Sequence, residues 1–317
     1  MSAENIVKAI KNAKNIAIIS HINPDGDTVG ASTALFRAIQ MYGATPYIFC
    51  DDTPKEKLQT LDYVEYYQKC SNERFDLAIA VDCADAERMG EAISIFNRSK
   101  NTASIDHHKT NRGYARVNYI NVNAAATCEI MYEVIRLLLG NIEKDIASLL
   151  YTGLVTDSGG FTFSSVTPNT MRVASELLKT GIEAHLICDK FLKSTRVNVF
   201  HLKNRVLSKT KFYDDNTIGI ISFRKEDFES TNTDSTATEG IINNVVNIDT
   251  VKVACSISEQ KDKDFKISFR SKDCVDCSKI VMLFGGGGHK NAAGCRLSGF
   301  YEDVVDKVLK AIRDEIC

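Results

Sequence analysis

Four short apolar runs, IAIIS (16–20), TPYIFC (45–50), DLAIAVD (76–82) and TASID (102–106), alternate with longer stretches of helical periodicity over the first 185 residues. No other feature restricts this chain as much, because β-runs separated by helices fold as right-handed βαβ units around a mainly parallel sheet. A helix is expected from Thr28 to Tyr42, stopped by Gly43, and another from about Ala125 to Leu139, stopped by Gly140. Further helices are expected from Glu143 to Asp157 and from Pro168 to Thr180, the latter with proline in its first turn and Gly181 behind it.

At 317 residues the chain is long enough for about two domains. The stretch from Glu183 to Lys209 reads as helix rich in Lys, Arg and Asn, so we expect a first domain over 1–185, a helical connector over 186–209 and a second domain over 210–317. The second offers TIGIISF (217–223), VKVACSIS (251–258) and FKISFRS (265–271), the last two joined by a polar EQKDKD turn that predicts a hairpin. The fold class expected is therefore α/β, a parallel sheet flanked by helices followed by a smaller mixed α/β domain. Hydrophobic residues at 44% and charged residues at 25% fit a globular protein rather than a disordered one.

Several function classes drop out early. No apolar run approaches the roughly 18 residues of a membrane helix. The first fifteen residues mix charges with apolar positions, unlike a secretory signal, so a cytoplasmic protein with reduced thiols is expected from its ten scattered cysteines. A net charge of −2 gives no basic footprint for long duplexes, and any nucleic-acid substrate should be short and gripped locally.

The chemistry gathers at strand ends. His21 and the acids of HINPDGD follow the first apolar run, Asp82 and Asp85 end the third, and Asp106, His107 and His108 end the fourth. Ligands of open parallel sheets bind beyond the carboxyl ends of the strands. A single aspartate there is usually a helix cap or a turn residue, and Asp85 reads that way. Several carboxylates on one edge repel one another unless protons or cations neutralise them, and a mixed carboxylate and imidazole set suits manganese or zinc, with magnesium where oxygen dominates. Asp157 in TGLVTDSGG precedes a glycine pair, where a plain helix stop is the simpler reading. Gly285 to Gly288 followed by His289 lies between the apolar IVMLF and AAGCRL, a poor place for a linker, so we expect its backbone N–H groups to approach a ligand. Cys274 and Cys277 form a lone CxxC with no partner pair and are expected to be ordinary thiols. Phe161, Phe163 and Tyr114 could stack a base, but packing is the commoner use of such residues.

In order and spacing, HINPDGD, VDCAD, DHH, TGLVTDSGGF and GGGGHKNAAG resemble the motifs of the DHH phosphoesterase family across essentially the whole chain. The resemblance implies a DHH domain followed by a DHH-associated domain, with an active-site cleft between them. It implies that His21 and Asp25 hold one metal, that Asp27, His107 and Asp157 hold another, that Asp82 bridges both, and that manganese is the usual ion, with magnesium possible. Four aspartates then match the charge of two divalent cations. Asp106 is expected to stand behind the metals, orienting a liganding imidazole, while His108 faces the substrate. Two such ions lower the pKa of a water for in-line attack at phosphorus, and a protonated His108 would stabilise the phosphoryl charge or protonate the leaving oxygen. In the second domain the resemblance implies that Arg270, His289 and the amides of Gly286, Gly287 and Gly288 bind substrate phosphate.

The activity implied is hydrolysis of short 5′-phosphorylated oligonucleotides, linear dinucleotides included, to nucleoside monophosphates, with related action on 3′-phosphoadenosine 5′-phosphate. The expected partners are short single-stranded RNA or DNA or small nucleotides, with no long duplex and no membrane, and a homodimer is allowed. Two alternatives stand beside this reading. A manganese pyrophosphatase of the same family would carry a basic SRKK-type motif, which the sequence lacks. A nucleotide sensor that had lost its chemistry would be expected to lack one of the acids, all of which are present.

Overall fold

The computed structural model describes residues 2–272 and 274–316. The chain forms two compact units that divide between Ser194 and Thr195. The first contains α1 (Ala3–Lys11), β1 (Asn15–Ser20), α2 (Gly26–Tyr42), β2 (Thr45–Phe49), β3 (Tyr67–Gln68), β4 (Leu77–Val81), α3 (Ile93–Arg98), β5 (Asn101–Asp106), β6 (Val117–Ile120), α4 (Thr127–Leu139), α5 (Lys144–Asp157), α6 (Pro168–Leu178) and α7 (Ala184–Cys188). The second contains α8 (Val197–Leu207), β7 (Lys211–Tyr213), β8 (Ile218–Phe223), α9 (Lys225–Thr231), α10 (Asn243–Val246), β9 (Val253–Lys261), β10 (Asp264–Ser271), α11 (Cys277–Met282), β11 (Gly287–His289), β12 (Ala292–Ser298) and α12 (Tyr301–Ile316).

All pairs in the first sheet are parallel, in the order β3-β2-β1-β4-β5-β6. Successive side chains of a strand point to opposite faces. Ile16, Ile18, Ile79 and Val81 therefore enter the core made with α1, α2, α4, α5 and α6, while Ala17, Ile19, Ala78 and Ala80 pack on the other face with Met89, Ile95 and Phe96. Both faces are covered, as a parallel sheet requires. The Asp25 side chain accepts hydrogen bonds from the N–H groups of Asp27 and Thr28, so α2 begins at Gly26, ahead of the expected Thr28. Gly43 (φ 98°) ends it in the left-handed conformation.

The second unit has a mixed sheet, β11-β12-β10-β9-β8-β7, in which β8 and β9 run parallel and every other pair antiparallel. The expected hairpin is present, but β9 continues through Lys261 and leaves only Asp262 and Lys263 as its turn. The strand pattern of the sequence did not reveal β3, β6, β7, β11 or β12: these are short, or carry Gly and Asn where apolar alternation would be needed. The stretch expected as one connecting helix is broken. Residues Asp189–Lys193 form a single π turn after α7, and Arg196, extended, precedes α8. Leu202 and Val206 of α8 belong to a core of the second unit, so the division falls inside the expected connector.

Candidate metal centre

The sheet order reverses direction at β1 and β4, which are neighbours, and β5 lies beside β4. In register, Ser20 pairs with Val81, and Val81 with Ile105. The next residue along each strand is thus His21, Asp82 and Asp106, side by side at the carboxyl edge, the switch point where open α/β sheets hold their ligands. Asp82 itself has a positive φ of 60°, a conformation uncommon for a residue with a Cβ. The break in strand geometry turns its carboxylate across the edge.

Among the described residues three overlapping ligand groups result, each with atoms within 4.8 Å of one another: His21, Asp25 and Asp82; Asp27, His107 and Asp157; and Asp82, His107 and His108. Asp82 connects them, with Oδ2 lying 3.5 Å from His21 Nε2 and Oδ1 3.8 Å from His107 Nε2. His21 Nε2 is also 3.8 Å from Asp25 Oδ2, and His107 Nε2 is 3.5 Å from Asp157 Oδ2. All six candidate metal ligands of the first unit therefore converge.

The remaining hydrogen bonds fix these side chains. His21 Nδ1 lies 2.7 Å from the Ile22 carbonyl and His107 Nδ1 3.2 Å from the Ala124 carbonyl. A carbonyl only accepts, so each ring carries a proton on Nδ1 and turns Nε2 to the centre, the atom that would ligate a cation. The Asp27 carboxylate accepts from the N–H groups of Thr127 (2.6 Å) and Cys128 (2.9 Å), at the start of α4. A helix N-terminus favours negative charge there. The Thr127 hydroxyl donates to Asp82 Oδ1 at 2.8 Å. Helix α5 approaches closely enough to deliver Asp157 because of small residues: a Cβ on Gly30 would stand 2.5 Å from the Leu149 carbonyl, and one on Gly153 2.2 Å from Cys128 Sγ.

Charge in the centre is out of balance. Burial, with Asp82, Asp157 and Asp25 close by, pushes the Asp27 carboxyl well above its ordinary range. Burial and the same like charges raise Asp157 to about 6, although His107 opposes the shift. Burial disfavours a charged His21, yet hydrogen bonds to Asp25 and Asp82 raise it to about 10. Protons would thus hold together what divalent cations neutralise more completely, and the donor set fits such cations.

Asp106 is fully buried. Its imidazole partner is His108, whose Nδ1 lies 2.7 Å from Asp106 Oδ1, and not the candidate ligand His107. Asn111 donates to Asp106 Oδ2 at 2.7 Å. Burial opposes the charge on Asp106, but the bonds from His108 and Asn111 hold its carboxyl below the usual range, and the same contact raises His108. The sequence reading missed Thr127, Cys128 and Asn111; their donors are aligned by the fold and carry no spacing signal. Asp85 is the cap expected, accepting from the Arg88 N–H at 3.0 Å.

In the second unit Arg270 is half-buried on β10, and the one side-chain hydrogen bond it makes among the described residues goes from its guanidinium to the Phe269 carbonyl at 2.9 Å. Its guanidinium forms no ion pair there, leaving most of its donors for a ligand. His289 is exposed on the edge strand β11. The glycine run has a structural reason that the sequence did not show: a Cβ on Gly286 would stand 2.4 Å from the Gly294 carbonyl, and one on Gly288 2.5 Å from Ala293 Cα. Those two glycines let β11 lie against β12. A Cβ on Gly287 would meet nothing within 4 Å, so no contact within the fold calls for glycine there. Cys277 is buried at the start of α11 and Cys274 exposed, and among the described residues neither joins a ligand group. The nine described cysteines are unpaired, while Cys317 lies outside the described residues. The Tyr114 hydroxyl donates to the Cys83 carbonyl and its ring packs on Phe96, Phe161 packs on Tyr151, and Phe163 is exposed. No described helix is long and apolar enough to cross a membrane.

The chain is similar to known proteins over nearly its whole length. Residues 15–154 match the model of the DHH family, N-terminal domain, and residues 218–316 that of the DHHA1 domain. The bifunctional oligoribonuclease and PAP phosphatase NrnA of Thermus thermophilus is 30% identical, over 98% of this chain and 92% of its own length. The protein of the same name from Bacillus subtilis is 24% identical, over 96% of this chain and 95% of its own. Among solved structures, an exopolyphosphatase-related protein from Bacteroides fragilis superposes with a TM-score of 0.91 at 26% identity, covering 98% of this chain and 95% of that one.

Proposed function

This chain belongs to the DHH family of phosphoesterases and carries the DHHA1 domain, and from that premise we propose that it is a two-metal hydrolase of short 5′-phosphorylated oligonucleotides, releasing nucleoside monophosphates. A phosphatase action on 3′-phosphoadenosine 5′-phosphate accompanies it, in line with the names of its relatives. The observation that carries the reading is the pair of ligand groups joined through Asp82, each with an imidazole whose Nδ1 bonds a backbone carbonyl and whose Nε2 faces the carboxylates.

His21 and Asp25 would hold one cation, Asp27, His107 and Asp157 the other, and Asp82 both. Manganese suits this mixed set best, with magnesium possible. When bound, such ions supply a nucleophilic water at neutral pH and charge stabilisation at phosphorus. The protein's own groups do the rest. Asp106 holds His108 by Nδ1 and leaves its Nε2 for the substrate, where a protonated ring would donate to a phosphoryl or leaving oxygen. Arg270, His289 and the amides of Gly286, Gly287 and Gly288 are assigned to substrate phosphate. A guanidinium suits phosphate because its planar donors match two oxygens. Unpaired thiols fit work in the reducing cytoplasm.

Product analysis tests the reading. The purified manganese-loaded protein should release monophosphates from labelled RNAs of about two to ten nucleotides and AMP from 3′-phosphoadenosine 5′-phosphate, while leaving inorganic pyrophosphate intact. Phosphate release from pyrophosphate alone would favour the pyrophosphatase, and binding of all substrates without turnover would favour the sensor.

A further inference from the structure

Arg88 follows Asp82 in the turn Ala86–Ala92, and its backbone is pinned on both sides. Its N–H donates to Asp85 Oδ1 at 3.0 Å, and its carbonyl accepts from the Ile22 N–H at 2.8 Å, in the loop that carries His21 and Asp25. The side chain is half-buried, with Nη2 3.2 Å from His21 Nδ1. That contact cannot be a hydrogen bond while His21 serves as a ligand. The Ile22 carbonyl, 2.7 Å away, requires the proton on Nδ1, and an N–H offers no lone pair to a guanidinium.

Among the described residues no carboxylate lies within ion-pair range of Arg88, although four aspartates stand in the adjacent centre. A partly desolvated cation without an acceptor is costly, so the fold keeps it there for an anion that arrives. Once two divalent cations balance the four carboxylates, that anion cannot be protein. We infer that Arg88 is a substrate-binding residue of the metal centre that holds a non-bridging oxygen of the phosphoryl group being hydrolysed, on the His21 side. The inference rests on the function proposed above, and it adds a first-unit cation to the phosphate contacts assigned to the second.

The test uses manganese-loaded wild type, R88A and R88K, each measured for metal content, for affinity toward AMP and adenosine by calorimetry, and for kinetics on a dinucleotide with and without its 5′-phosphate. Expected for R88A is unchanged manganese, AMP binding weakened about tenfold to hundredfold with adenosine unaffected, and an equal loss of kcat/KM on both dinucleotides, which share the scissile group. R88K should retain metal and fall between the two, since it keeps the charge without the planar fork. Loss of manganese in parallel with activity would overturn the inference, because Arg88 would then act by holding His21. Loss confined to the 5′-phosphorylated dinucleotide would overturn it too, placing Arg88 at the terminal phosphate. Wild type that turns over neither dinucleotide, with AMP binding still dependent on Arg88, would sustain the phosphoryl site and refute the proposed function.

Discussion

Individual side chains at the carboxyl edge divide by what lies behind them. His21 and His107 are each fixed through Nδ1 by a backbone carbonyl and so leave Nε2 for a cation, whereas His108 is fixed through Nδ1 by a carboxylate, which favours a second proton on its ring. Two adjacent histidines thereby acquire opposite character. Asp106→Asn should therefore leave the metal content unchanged, since Asp106 touches His108 and not a ligand nitrogen, and lower kcat about tenfold to hundredfold. Metal analysis and kinetics on the same preparation check this; loss of metal in the variant would mean that Asp106 supports the ligands instead. The residue types of this chemistry were legible in the sequence, because several carboxylates and imidazoles gathered on one sheet edge need neutralising, whereas a lone aspartate there is usually a cap. Which imidazole Asp106 would choose was not, for adjacent residues of one loop leave either ring within reach.

Among elements, the start of α4 does for the centre what no motif announces. Its Thr127 and Cys128 N–H groups meet Asp27 across about a hundred positions of chain, a contact made by packing rather than spacing. The strand ends were readable because a parallel sheet forces them to one edge, whereas the full length of β9 and the whole of β12 were not, because Glu259 and Lys261 in the one and Gly294 in the other break the alternation. A buried acid secures another element, α9 in the second unit. Asp227 accepts from Arg205 at 2.6 Å, Lys209 at 2.8 Å and the Arg224 N–H at 3.0 Å. Burial opposes its charge, but Lys209, the Arg224 N–H and Arg205 hold its carboxyl below the ordinary value. A depressed acid contributes stability that is present above the unfolded value of about 4 and is lost as pH falls through the folded one. Asp227→Asn should accordingly lower Tm at pH 7, with the wild-type and variant curves converging as pH falls below about 4. Parallel curves across that range would show that the ion pairs contribute nothing.

For the whole molecule, every candidate metal ligand lies in the first unit, and Arg270, His289 and the glycine run lie in the second. The division of labour read from the motifs assigns chemistry to one and phosphate recognition to the other. Arg270→Ala should then cost a charge-assisted hydrogen bond, about 1.5–3 kcal/mol or roughly tenfold to hundredfold in kcat/KM, and leave metal content as it was. Metal loss in that variant would refute the division. The sequence pointed to the two-part organisation through its composition and strand pattern, but the reason for Gly286 and Gly288 lay in strand-to-strand contact that only the fold supplies. The central claim is that the shared carboxylate of Asp82 gathers two cations on which all turnover depends. Its most direct measurement strips the protein with chelator, returns manganese in steps, and follows bound metal and hydrolysis of a 5′-phosphorylated dinucleotide on one sample. Turnover should be absent from the stripped protein and recover to saturation at two ions per chain, with no recovery in Asp82→Ala; full turnover by the stripped protein, or saturation at a single ion, would rule out a two-cation centre.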